Sequence, residues 1–139
     1  MCGRYFLILR GESPRLNAIL EEIARSGHPL AAQVKLGEIY PGQVAPVIVR
    51  VTDEMQQPGK RWTALPMKWG FPRHGGGGLV INSRSEKADV TPMFSRALRE
   101  RRCLIPVSGF FEWQRTAAGA KTKNKFAFQL EGDDELIYL

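Results

Sequence analysis

Four residues carry the chemistry that this sequence can offer: Cys2, Asn82, Arg84 and Glu112. Met1 precedes a small residue, so its removal leaves Cys2 at the amino terminus, with a free α-amine and a thiol on adjacent carbons. The reference pKa values of about 7.7–8 for such an amine and about 8.5 for a thiol leave both partly nucleophilic near neutrality. An amine condenses with an aldehyde to an imine, and the neighbouring thiol can close a five-membered thiazolidine on the same carbon. Glu112 sits in Phe110-Phe111-Glu112-Trp113, where large aromatic neighbours partly desolvate a carboxylate and suit it to general acid–base work. Plain alternation gives another reading, with Phe111 and Trp113 inward and Glu112 outward. Asn82 and Arg84 lie two apart after the apolar Leu79-Val80-Ile81, so they share a face if the strand continues. An amide that orients a substrate oxygen beside a guanidinium that holds a phosphate is plausible site chemistry, although Asn82 could also cap the strand and Arg84 pair with Glu86.

The elements that must position these residues are short. Arg4 to Arg10 reads as a strand with Tyr5 to Leu9 buried on both faces. Ser13 as N-cap, Pro14 at the first helical position and the spacing of Leu16, Ile19, Leu20 and Ile23 predict a helix that Gly27 and Pro29 end. Residues 37–43 read as a loop with a Pro-Gly turn, and Val47 to Val51 as a strand opened by Pro46. A polar hairpin loop, Asp53 to Arg61, leads to a returning strand at Trp62 to Lys68, where Pro66 argues for an edge or a break. Gly75 to Gly78 form a loop without side chains. Thr91, Pro92, Met93, Phe94, Ala97 and Leu98 mark a second helix with a basic end, followed by a strand at Cys103 to Val107 in which Cys103 reads as a small buried hydrophobe. Gly109 to Gln114 and Lys125 to Glu131 pair as a hairpin, and Leu136 to Leu139 begins a last strand that looks cut in mid-sheet. The class is α+β, with many short antiparallel strands and two helices in one domain over residues 1–139.

Composition narrows the partners. The 139 residues carry a net charge of +6, which favours an anionic partner, nucleic acid first. No apolar run approaches the roughly 20 residues of a membrane span, and the first residues lack a signal-peptide cleavage pattern. Cys2 and Cys103 make no secreted disulfide framework, which points to a reducing cytosol. His28 and His74 lie in loops and no CxxC or HxxxH spacing occurs, so neither a metal nor another cofactor is implied. The glycine run lacks the GK[ST] of a phosphate-binding loop.

Seven segments together resemble the SOS response-associated peptidase (SRAP) family: Met1-Cys2-Gly3-Arg4-Tyr5, Tyr40-Pro41-Gly42 with Ala45-Pro46, Trp69-Gly70, Ile81 to Glu86, Pro92-Met93-Phe94, Arg102 to Pro106, and Gly109 to Trp113. The resemblance implies a partial barrel-like fold and a sensor of abasic sites in single-stranded DNA, one that forms a thiazolidine crosslink through Cys2. Under it, Glu112 shuttles protons, Asn82 positions the amine or the sugar oxygen, Arg4 and Arg84 hold phosphates, and Pro41 wedges near the bases. In the loop after Trp69-Gly70, Arg73 contributes charge where some members carry aromatics. The resemblance also implies a cytoplasmic, nucleoid-associated protein and a further catalytic histidine in a C-terminal segment that this chain lacks. Two other readings stand beside it: an N-terminal-nucleophile peptidase, which the family name suggests, and a non-covalent single-strand DNA binder with an incidental Cys2.

Overall fold

Tyr5-Phe6-Leu7 puts three large apolar residues in a row, and a strand can bury all three only if both its faces are covered. In the computed structural model, which describes residues 3–8, 13–55, 57–116, 122–132 and 136–139, that is their arrangement. The elements run β1 (Tyr5–Leu7), α1 (Pro14–Arg25), β2 (Gly37–Ile39), β3 (Val44–Arg50), β4 (Trp62–Lys68), β5 (Phe71–Pro72) and β6 (Leu79–Val80). They continue α2 (Ser85–Ala88), α3 (Pro92–Glu100), β7 (Cys103–Leu104), β8 (Pro106–Val107), β9 (Gly109–Arg115), β10 (Lys123–Gln129) and β11 (Ile137–Tyr138). β1 lies inside an antiparallel sheet of order β10-β9-β1-β2. Tyr5 packs with Ile39, Ala45 and Val107 in one core cluster, and Leu7 with Leu16, Ile19, Ile23 and Ala64 in another. Phe6 points to the opposite face, its ring 5.1 Å from that of Phe111.

The helix α1 follows its signals. The Ser13 hydroxyl accepts the Leu16 N–H at 3.4 Å, Pro14 opens the helix, and Leu16, Ile19 and Ile23 are buried. On its flank Glu22 accepts hydrogen bonds from the buried Thr63 hydroxyl at 2.7 Å and from Lys60 Nζ at 2.9 Å, tying the helix to β4 and its preceding turn. Burial pulls the Glu22 carboxyl upward, but the bonds from Thr63 and Lys60 outweigh it and hold the pKa below its ordinary value.

The α+β class holds, with several corrections of detail. Residues 37–39 of the expected loop form β2, a strand too short to show a period, with Ile39 fully buried and Glu38 outward. β3 starts at Val44 and carries Pro46 within it, while Pro66 neither breaks nor shortens β4. The two prolines face each other in the register, which confines their missing amide donors to one rung, and β4 does lie at the edge of the order β4-β3-β7. A third, one-turn helix, α2, appears where an irregular segment was expected. No sheet closes into a barrel among the described residues. Cys103 is exposed rather than buried, although apolar surroundings desolvate its thiolate and raise its pKa. Leu9 and Arg10 of the first expected strand lie outside the described residues, and Ile8 is exposed.

One position tolerates no side chain. Gly109 faces Phe6 across β1 and β9, and a Cβ there would overlap the Phe6 ring and the Phe128 carbonyl oxygen. Gly109→Val is therefore expected to lose roughly 1–3 kcal/mol in a denaturant titration, as overpacking does. Because the Glu22 pKa is depressed, its contribution is present above the unfolded carboxylate value and is lost as pH falls through the folded one. Glu22→Gln should lower the melting temperature near neutrality and flatten its decline as the pH falls below the ordinary carboxylate range.

Candidate functional site

Arg4 stands where β1 is entered, and its carbonyl accepts the Phe111 N–H at 3.0 Å, extending the β1–β9 pairing by one residue. Its side chain therefore projects on the same face as Phe6, over Phe111 and Trp113. The guanidinium lies 4.3 Å from the Tyr40 ring centroid and 5.3 Å from that of Trp113, and its Nη1 donates to Glu38 Oε2 at 3.2 Å. The Tyr40 hydroxyl donates to the same oxygen at 2.9 Å. Lys125, on the edge strand β10, reaches across to donate to Glu38 Oε1 at 2.9 Å, with its Nζ 3.7 Å from the Phe111 centroid. The ammonium of Lys125 first, and the Tyr40 hydroxyl next, hold the Glu38 carboxyl below its usual value, so it stays ionised at neutral pH. Two cations thus share one carboxylate on an aromatic surface.

Glu112 occupies the other face of β9. It alternates with Phe111 and Trp113 and so shares the side of Phe110, which packs against the cluster around Tyr5. It is half-buried and stands opposite Phe126 of β10. Of the two readings of its strand, the outward Glu112 with inward Phe111 and Trp113 does not describe this arrangement, since all three residues are half-buried and each face carries aromatics.

Pro41 sits in a tight turn. The Gln43 N–H donates to the Tyr40 carbonyl at 3.1 Å, and Gly42 follows Pro41 with φ of +88°, the proline–glycine arrangement of a type II turn. Gly42 N–H to Trp69 O at 2.8 Å and Trp69 N–H to Gln43 O at 2.9 Å fasten the turn to Trp69. The Trp69 ring lies 5.1 Å from Tyr5. Tyr5, Trp69 and Ile81 line one cavity of about 620 Å³, walled also by Phe71, Met93 and Ile105. Asn82 follows Ile81 directly, so its segment leaves from a wall shared with β1.

Asn82 and Arg84 are exposed, and Arg84 is the N-cap of α2, with its carbonyl accepting the Lys87 N–H at 3.1 Å. Arg84 forms no ion pair with Glu86 among the described residues. Arg73 is exposed at the β5–β6 turn, where its N–H donates to Gly78 O at 3.1 Å. Cys2 lies outside the described residues. The structure therefore unites Arg4 and the Pro41 turn with the β1 sheet and places Glu112 on that sheet's other face, while Asn82 and Arg84 are exposed in the segment that follows the cavity-lining Ile81. Among the described residues no group of three His, Cys, Asp or Glu could hold a metal ion, and no helix is long and apolar enough to cross a membrane.

Sequence reasoning did not single out Glu38 or Lys125, and it read Tyr40 only as part of the Pro-Gly turn segment. Glu38-Ile39-Tyr40 alternates polar and apolar as a half-buried strand does, and that was the available signal; its partners lie 34 and 87 positions away in sequence.

The profile of the family described as SOS response associated peptidase (SRAP) matches residues 1–139. Among curated relatives, abasic site processing protein YoaM of Bacillus subtilis (strain 168) is 38% identical over 52 residues, which is 37% of this chain and 22% of that protein. Abasic site processing protein YoqW, of the same bacterium and of Bacillus phage SPbeta, is 34% identical over 55 residues, or 40% of this chain and 24% of YoqW. The matched stretch spans less than a quarter of these relatives' own length. With the profile matching from the first residue to the last, the chain belongs to the SRAP family.

Proposed function

We propose that this protein processes abasic sites in DNA, capturing the ring-opened sugar in single strands as a covalent adduct of Cys2. The observation that carries the reading is the likeness to two relatives named abasic site processing proteins, within a family matched over the whole chain. The chemistry of the residues supports it. The α-amine of Cys2 attacks the aldehyde carbon and one water leaves as the imine forms. The thiol sulfur then adds to the same carbon while its proton passes to the nitrogen, closing the thiazolidine. Glu112, half-buried beside aromatic rings, is the group proposed to carry protons in ring opening and dehydration. Asn82 would orient the amine or the sugar oxygen.

Geometry supports a nucleic-acid role for the surroundings. Cys2 is two residues from Arg4 in sequence. Arg4 itself is held over two aromatic rings, and cations interleaved with aromatics are the equipment of single-strand binding. Arg84 and Arg73, both exposed, would add phosphate contacts, with Pro41 near the bases.

Incubation with a single-stranded oligonucleotide carrying one abasic site should give a band that persists on a denaturing gel and disappears with Cys2→Ser. Absence of a covalent band from the unaltered protein would overturn the reading, and salt-sensitive binding without it would leave a non-covalent binder. Glu112→Gln should slow crosslinking while DNA affinity stays nearly constant; an equal loss of both would remove its acid–base role. Arg84→Ala should reduce the slope of log affinity against log salt by about 0.7, the value of one phosphate contact on a single strand.

A further inference from the structure

We infer that Lys125 is a phosphate contact for single-stranded DNA, and that Glu38 is the positioning residue that sets Lys125 and Arg4 side by side to make it. This rests on the proposed function for the nature of the ligand, and on the geometry of the sheet for everything else. Lys125 belongs to β10 and Glu38 to β2, the two outer strands of the order β10-β9-β1-β2. Their ion pair at 2.9 Å spans the face of the two strands between them, and the lysine passes over Phe111 on the way.

A long lysine on an edge strand ordinarily samples many rotamers in water, and fixing it costs entropy that an exposed ion pair barely repays. Here the ordering has three sources: the Glu38 oxygen, the Phe111 ring face, and the competition of Arg4 and Tyr40 for the other Glu38 oxygen. Each carboxylate oxygen takes one cation, so the guanidinium and the ammonium are neighbours on one surface. An ammonium has three donors and Glu38 engages one of them. The Lys125 side chain keeps 38% of its exposure. Tyr40, at 40% exposure, and the half-buried Trp113 border the pair with aromatic surface on which bases can stack. A tether that merely joined the sheet edges would need neither the arginine nor the rings around it.

The test uses the full chain and an undamaged, fluorescein-labelled oligothymidylate, with affinity measured by anisotropy across a salt series. Lys125→Met keeps the apolar stem on Phe111 and removes the charge; the slope of log affinity against log salt should fall by about 0.7. Lys60→Met removes the same charge near α1 and should leave the slope unchanged. An unchanged slope for Lys125→Met, or an equal fall for both variants, overturns the phosphate contact. Glu38→Gln makes the protein more positive, yet it should weaken binding, and its effect should be smaller once Lys125 is Met, the remainder being the part that acts through Arg4. Tighter binding by Glu38→Gln would overturn the positioning role. Thermal melting of each variant separates a loss of folding from a loss of contact, since a purely structural role moves the melting temperature and leaves the slope. If the unaltered protein fails to crosslink an abasic strand while Lys125→Met still lowers the slope, the phosphate contact stands and the covalent reading falls.

Discussion

The pairing of β1 with β9 is the constraint on which the rest of this structure depends. Tyr5 faces Phe110 and Phe6 faces Gly109, and this register decides which face every neighbouring side chain takes. Side chains alternate along a strand, so a slip of one residue would send Tyr5 and Leu7 to the Phe111 face and take one buried side chain out of each core cluster. Gly109 enforces the register sterically. The Phe6 ring and the Phe128 carbonyl crowd the space where any Cβ would stand. Ser108 adds a second check: its hydroxyl accepts the Ile8 N–H at 2.9 Å, and its own N–H reaches the Phe6 carbonyl at 2.9 Å.

From that register two chemically different faces arise on one sheet. Arg4, Phe6, Glu38, Phe111, Trp113 and Lys125 share one of them, where cations lie over rings around a single carboxylate. Phe110 and Glu112 take the other, toward the cluster around Tyr5 and Trp69. The Pro41 turn belongs to both, because Tyr40 contributes to the first face while Gly42 and Gln43 are bonded to Trp69, the neighbour of Tyr5. The energetics of the two differ. Exposed ion pairs such as Arg4–Glu38 contribute little to stability, so their consequence is geometric, whereas the apolar clusters hold the sheets and α1 together.

Much of the fold was legible in local signals. Ser13 and Pro14 set the start of α1, and the spacing of Leu16, Ile19 and Ile23 gave the face that the structure buries. The hairpin of β9 and β10 and the helix after Thr91 were equally plain, though the Thr91 hydroxyl donates back to the Lys87 carbonyl at 2.7 Å instead of capping α3. Local signals failed where an element owes its existence to a distant partner. β2 is three residues long and is a strand because β1 pairs with it, and the prolines of β3 and β4 are tolerated because they meet at one rung. Cys103 was expected inside, but its two-residue strand lies at the outer edge of the order β4-β3-β7.

By itself the sequence determined the residue types on which the proposed chemistry draws: a thiol at Cys2, a carboxylate among aromatics at Glu112, and an amide and a guanidinium at Asn82 and Arg84. These are properties of side chains and of spacing within a few positions, which need no fold to be read. Only the tertiary structure decided that Arg4 is held by Glu38 and stands beside Lys125, and that Glu112 faces away from both. Those facts depend on which strands pair and in what register, and that is set by burying apolar residues far apart in the chain. A sequence carries such long-range choices only in the sum of its packing, which no short stretch displays.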